Sequence, residues 1–105
     1  AYEPVWAISD GKSYAKHKAA TPEDAENAAQ IVRKNIAEFY GEQVADKVKV
    51  LYGGSVSNDN ATAYLEALGI DGLLIGGASL AVTSFWPIVE KAAQASPKQI
   101  KIAKA

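Results

Sequence analysis

Three short segments of this chain carry residue types that could do chemistry together. Glu3 stands in Ala1-Tyr2-Glu3-Pro4-Val5-Trp6-Ala7-Ile8. A carboxylate held close to a carbon-bound proton can act as a general base. Pro4 and Trp6 stiffen the chain that follows, and Ser9-Asp10-Gly11-Lys12 supplies the tip of a polar loop. Tyr52-Gly53-Gly54-Ser55-Val56 and Ile75-Gly76-Gly77-Ala78-Ser79-Leu80 each end an apolar run in two glycines. Glycines there let the backbone approach a ligand and leave N–H groups able to face an anion. Each segment also has a plainer reading. Glu3 could be a solvated carboxylate at a strand end, and each glycine pair a tight strand–helix turn. Two glycine pairs on successive strands, with an acid nearby, point instead to a site for an anionic substrate.

The elements that must position these residues follow from spacing. Thr21-Pro22-Glu23-Asp24 is a helix start, with Thr21 as N-cap and Pro22 in the first turn, where its missing N–H costs nothing. Apolar residues recur at helical spacing through Ala25, Ala28, Ala29, Val32, Ile36 and Phe39 until Gly41, which predicts a helix of about 18 residues. Val48, Val50 and Leu51 form a short β-prone run. A second helix is expected from about Asn58 to Leu68, with Gly69 as its cap. Gly72-Leu73-Leu74-Ile75 is a continuous apolar run of the kind found in strands buried on both faces. A third helix is expected from Ser84 to Ala95, and residues 96–105 form a frayed or loosely docked tail. With Ala1-Tyr2-Glu3 as the end of a further strand, the order is strand, helix, strand, helix, strand, helix. Such alternation means parallel strands with crossover helices, an α/β architecture. Three parallel strands leave two open sheet edges, which invite pairing with other chains.

Taken together and in order, Ala-Tyr-Glu-Pro-Val-Trp-Ala-Ile, Tyr-Gly-Gly-Ser-Val and Gly-Gly-Ala-Ser-Leu resemble the triosephosphate isomerase family, over nearly all of the chain up to about Ala95. The resemblance implies the C-terminal part of a (β/α)8 TIM barrel, three parallel strand–helix units spanning strands six to eight, with residues 1–105 as one partial barrel domain. It implies an isomerase of glycolysis and gluconeogenesis that interconverts dihydroxyacetone phosphate and glyceraldehyde 3-phosphate without a cofactor. Glu3 matches the catalytic base. Pro4, Val5 and Trp6 match the first hinge of a lid, and Tyr52 a tyrosine that latches it. Ser9, Ser55, Gly76 and Gly77 match positions that hold the substrate phosphate. The resemblance also pairs Arg33 with Asp71. Its expected partners are triose phosphate, the N-terminal part of the barrel and, for the parent protein, a second copy in a homodimer. The family's site further needs a lysine and a histidine from earlier strands. His17 does not match that histidine. The chain on its own is therefore expected to be inactive. The alternative is a barrel relative that binds phosphate without catalysis.

The sequence departs from the family in the lid. Its tip usually reads Ile-Gly-Thr-Gly-Lys and here reads Ile8-Ser9-Asp10-Gly11-Lys12. A serine where glycine holds a positive φ costs on the order of 1 kcal/mol. Residues 13–20 then intervene before Thr21. Within them, Lys16-His17-Lys18 reads as a solvated loop rather than a further anion site.

Composition narrows the function classes. Of 105 residues, 49% are hydrophobic, enough for one core and too few for two domains. The formal net charge of -1 supplies no basic face for nucleic acid. No apolar run approaches the roughly 18 residues of a membrane span, and no signal peptide is visible. With no cysteine and one histidine, thiolate chemistry is excluded and no metal site is expected. A cytoplasmic location is the expectation that follows.

Overall fold

A computed structural model describes residues 1–7 and 20–95. Ser9, the rest of the lid tip, His17 and the tail 96–105 lie outside the described residues. Helix α1, Pro22–Tyr40, starts at the expected signal. The Thr21 side-chain oxygen accepts from the Asp24 N–H at 3.1 Å, and the Asp24 carboxylate accepts from the Thr21 N–H at 3.0 Å. This reciprocal capping satisfies two backbone donors that an uncapped helix end leaves exposed. Gly41, at φ 94°, ends the helix, in backbone space that a side chain disfavours. A six-residue helix α2, Glu42–Lys47, follows at once. Its first turn closes with the Ala45 N–H donating to Gly41 O.

Strands β1, Leu51–Gly54, and β2, Gly72–Ile75, pair in parallel, with Leu51 opposite Gly72 and Gly54 opposite Ile75. The segment before Glu3 joins the other edge of β1 through a single parallel bridge, Tyr2 to Tyr52. The Tyr2 N–H donates to Leu51 O and the Gly53 N–H to Tyr2 O, both at 2.8 Å. The order across the sheet is therefore Tyr2, β1, β2. Where the spacing predicts three strands, the described residues hold a two-stranded ladder and this bridge. Helix α3 is shorter than expected, Ala61–Glu66. Residues 57–60 form a turn instead, because Asn60 bonds back to Ser57. Helix α4, Val82–Gln94, starts two residues ahead of Ser84.

The core lies between the sheet and helices α1 and α3. Helix α1 buries Ala25, Ala29 and Arg33, one face at a spacing of four. Small alanines let the chain approach closely. At Gly69, with φ 82°, an added Cβ would stand 3.2 Å from Ala29 Cβ. Tyr52 and Tyr64 fill the middle, rings stacked at 4.2 Å between centroids and 17° between planes. The Tyr64 hydroxyl donates to Ala20 O, so the polar end of a buried ring is satisfied by backbone.

Arg33 is the exception in this core, 2% exposed. One terminal nitrogen donates to Ala45 O and Val48 O, each at 2.9 Å. The other donates to Gly69 O at 2.9 Å and to the Asp71 carboxylate at 2.7 Å. The expected Arg33–Asp71 pair is thus present, through one carboxylate oxygen rather than two. That same oxygen accepts from the Val50 N–H at 2.8 Å. A charge can be buried when acceptors replace its water. Here they come from α2, from Val48 in the segment leading into β1, and from Gly69 and Asp71 in the segment leading into β2, so one side chain ties three parts of the chain together.

Candidate functional site

The C-terminal ends of the bridge segment, β1 and β2 open into one cleft of about 620 Å³. Glu3, Ser55, Gly76 and Gly77 all line it. In barrels of parallel strands these C-terminal strand ends, with the loops that follow them, are where ligands are bound. Four of the five site residues expected from sequence are therefore brought together, and the fifth, Ser9, lies outside the described residues.

Each is positioned by a local device. Glu3 follows directly on Tyr2, whose N–H and C=O are both bonded to the β1 backbone. Pro4 is buried and a short helical turn, Val5–Ala7, follows, closed by the Ala7 N–H on Pro4 O. The Glu3 side chain is exposed toward the cleft. Ser55 donates its hydroxyl to Ala7 O at 2.7 Å, linking the turn after Glu3 to the loop after β1. Gly76 precedes a second helical turn, Gly77–Leu80. The Ser79 N–H and hydroxyl both donate to Gly76 O, at 2.9 and 2.6 Å. That fixes the backbone of the second glycine pair in a tight curl around the cleft.

Sequence reasoning missed Asn60 and Ser84. Asn60 lines the cleft and clamps its β1 loop from both sides. Its amide nitrogen donates to Ser55 O at 2.7 Å, and its oxygen accepts from the Ser57 N–H at 2.8 Å. The Asn-rich run Ser57-Asn58-Asp59-Asn60 carried the signal, since asparagine favours turns that bond to nearby backbone. Ser84 donates to Ala78 O at 2.7 Å, bracing the Gly77–Leu80 turn from α4. No pattern in the sequence marks that contact. Tyr52 lies in the core below the cleft, with its hydroxyl buried and without a well-formed hydrogen bond. Burial, and then the neighbouring Tyr64 hydroxyl, push its pKa above the ordinary tyrosine value.

The chemistry available is specific. Among the described lining residues Glu3 alone is charged. The rest of the lining is glycine backbone, serine and asparagine side chains and the apolar Val56, Leu74, Ile75 and Ala78; backbone N–H groups of this kind hold an anion by directed donors rather than by a countercharge. No described group of three acidic or histidine side chains could hold a metal ion, and no described helix is long and apolar enough to cross a membrane.

Known proteins resemble this chain over most of its length. The family model of triosephosphate isomerase matches residues 1–92. A triosephosphate isomerase of Carboxydothermus hydrogenoformans is 47% identical over 90 residues, 86% of this chain and 34% of the relative. One of Dictyoglomus turgidum is 49% identical over 89 residues, covering 85% of this chain and 33% of the relative. One of Streptococcus pyogenes is 47% identical over 90 residues, again 86% and 33%. The chain spans about one third of the length of the curated relatives it matches.

Proposed function

Because this chain belongs to the triosephosphate isomerase family, we propose that it supplies the general base and part of the phosphate cradle of an isomerase acting on triose phosphates. The convergence of Glu3 with Ser55, Gly76 and Gly77 on one cleft carries this reading. Glu3 takes a proton from the hydroxymethyl carbon of dihydroxyacetone phosphate. The electron pair of that C–H bond forms the carbon–carbon double bond of an enediolate as the carbonyl oxygen gains charge. With transfer of the hydroxyl proton on the first carbon to the former carbonyl oxygen, return of the carbon-bound proton to the adjacent carbon gives glyceraldehyde 3-phosphate, so no electrons are gained or lost overall. Ser55, the backbone of Gly76 and Gly77, and Ser9 hold the phosphate. An enediolate exposed to water would lose phosphate, so the loop carrying Ser9 closes over it.

In this reading residues 1–105 belong to the last three strand–helix units of an eight-stranded barrel. The parent protein is a cytoplasmic homodimer. The chain alone lacks a group to polarise the carbonyl, and loss of one such donor typically costs about 10²–10³ in rate. It is inactive by itself and self-associates through its open sheet edges.

The test mixes the chain with a polypeptide covering the first two thirds of a relative, such as that of C. hydrogenoformans, and measures turnover of glyceraldehyde 3-phosphate. Isomerisation by the mixture, and by neither part alone, is the expected result. Glu3→Gln should assemble equally well and lose at least about 10²-fold in rate, the contribution of a positioned base. A mixture that binds inorganic phosphate without isomerising would support the non-catalytic reading instead. Turnover by the isolated monomeric chain would overturn both.

A further inference from the structure

The two glycines that end β1 occupy opposite faces of the strand, and each leaves room for a different side chain. Successive residues of a strand point to opposite sides. On the core side, a Cβ added at Gly54 would stand 2.4 Å from the Tyr52 hydroxyl. On the cleft side, a Cβ added at Gly53 would stand 2.9 Å from Glu3 Cγ and 3.3 Å from Leu74 Cβ. Gly53 thus has no side chain where Glu3 rests. From this we infer that Gly53 is a positioning residue for the general base, and that its empty face sets where the Glu3 carboxylate sits over the cleft. The inference rests on the catalytic role proposed above for Glu3.

Leu74, the backbone before Glu3 or the Glu3 side chain could yield to a methyl at Gly53, and the structure decides which one does. Leu74 is held opposite Gly53 in the β1–β2 ladder, so its Cβ moves only with the sheet. The backbone before Glu3 is pinned on both sides, by Tyr2 N–H to Leu51 O and by Gly53 N–H to Tyr2 O. The Glu3 side chain is exposed, and beyond its Cβ no strand ladder holds it. A methyl at Gly53 therefore displaces the carboxylate and leaves the fold in place. Rate is sensitive to such a shift, since misplacing a reacting group by about 1 Å can cost roughly 10²-fold. The glycine serves the acid beside it, whereas its neighbour Gly54 serves the core.

The experiment has two arms. In the first, Gly53→Ala is introduced into the chain and assembled with the N-terminal two thirds of the relative. The expected result is a fall in kcat of roughly 10²-fold, with KM within about twofold of the unsubstituted assembly, because the phosphate donors are untouched. In a Glu3→Gln background the same substitution should cost nothing further, since the displaced group no longer works as a base. In the second arm, NMR of the 105-residue chain compares the Glu3 side-chain carbon shifts with and without Gly53→Ala. They should move while most other resonances stay. An unchanged kcat, or a loss that persists in the Glu3→Gln background, would overturn the inference. So would a variant that no longer folds, because the strain would then fall on Leu74 and the sheet. If the unsubstituted assembly does not isomerise, the catalytic reading of Glu3 fails. The NMR arm then decides by itself whether Gly53 sets the placement of that side chain.

Discussion

Strands β1 and β2 have Arg33 at their N-terminal ends and the cleft at their C-terminal ends, and the two ends are finished differently. At the Arg33 end, acceptors from Ala45, Val48, Gly69 and Asp71 of the same chain surround the guanidinium. At the cleft end, large apolar side chains face outward. Leu80 is 88% exposed, Val5 85% and Val82 78%. The buried charge at one end is therefore enclosed by residues of this chain, while at the other these three apolar side chains are left uncovered. The difference separates a point where this part of the fold is tied together from the place of the proposed site. A buried charge draws several segments together at one end, and the proposed site residues sit at the other, where the cleft is open. Barrel enzymes divide their two faces in the same way.

The comparison predicts a steep gradient of mutational effects, largest at the Arg33 end. Asp71→Ala removes the anionic partner of a buried cation, and also the acceptor of the Val50 N–H. It should cost about 3–5 kcal/mol, read from urea unfolding followed by circular dichroism. A cost under about 1 kcal/mol would mean that water already reaches Arg33, and the contrast between the ends would collapse.

The next effect lies between the two ends and depends on pH. The Tyr52 pKa is raised by burial and by Tyr64, above the ordinary tyrosine value of 10.0. In the folded chain the hydroxyl therefore stays protonated at a pH where the unfolded chain ionises. The stabilisation is fully present below pH 10 and is lost as pH rises from there toward the folded value. The slope of that loss is at most about 1.4 kcal/mol per pH unit for this group. Melting curves of the chain and of Tyr52→Phe between pH 8 and 11 check it. The variant should show a shallower alkaline loss, and equal slopes would remove Tyr52 as the cause.

The smallest effect on stability belongs to the cleft end. Leu80→Ser changes a side chain with almost no contacts in this chain, so stability should move by less than about 0.5 kcal/mol. Self-association, measured by sedimentation, should weaken nonetheless, because an exposed apolar patch is removed. A large stability loss with unchanged association would reverse the assignment of open and closed ends.

Much of this was legible in the chain itself. Thr21-Pro22 and Gly41 bracket α1 within a residue, because capping acts over three or four positions and leaves its mark locally. The two glycine pairs marked the strand ends for the same reason. Helix α2 was not legible. Its six residues, Glu42–Lys47, are too few to show a period, and Arg33 bonds Ala45 O within it. The shortening of α3 was missed because Asn60 was read as part of a helix, whereas its side chain bonds a turn. The resemblance cast Tyr52 as a lid latch. In the structure it stacks on Tyr64 in the core, and the lid tip lies outside the described residues.

By itself, then, the sequence determined what is decided between near neighbours: helix starts and stops, the order of strands and helices, and which residue types could serve as base and anion donors. The tertiary structure alone decided what depends on chain segments far apart meeting. Arg33 and Asp71 are 38 positions apart, and Ser55 and Ala7 are 48 apart. Gly53 meets the Glu3 side chain across a comparable interval. No periodicity encodes such encounters. They arise when packing of the whole sheet offsets the entropy of closing the intervening loops, and only then does an empty glycine face or a lone hydroxyl acquire a partner.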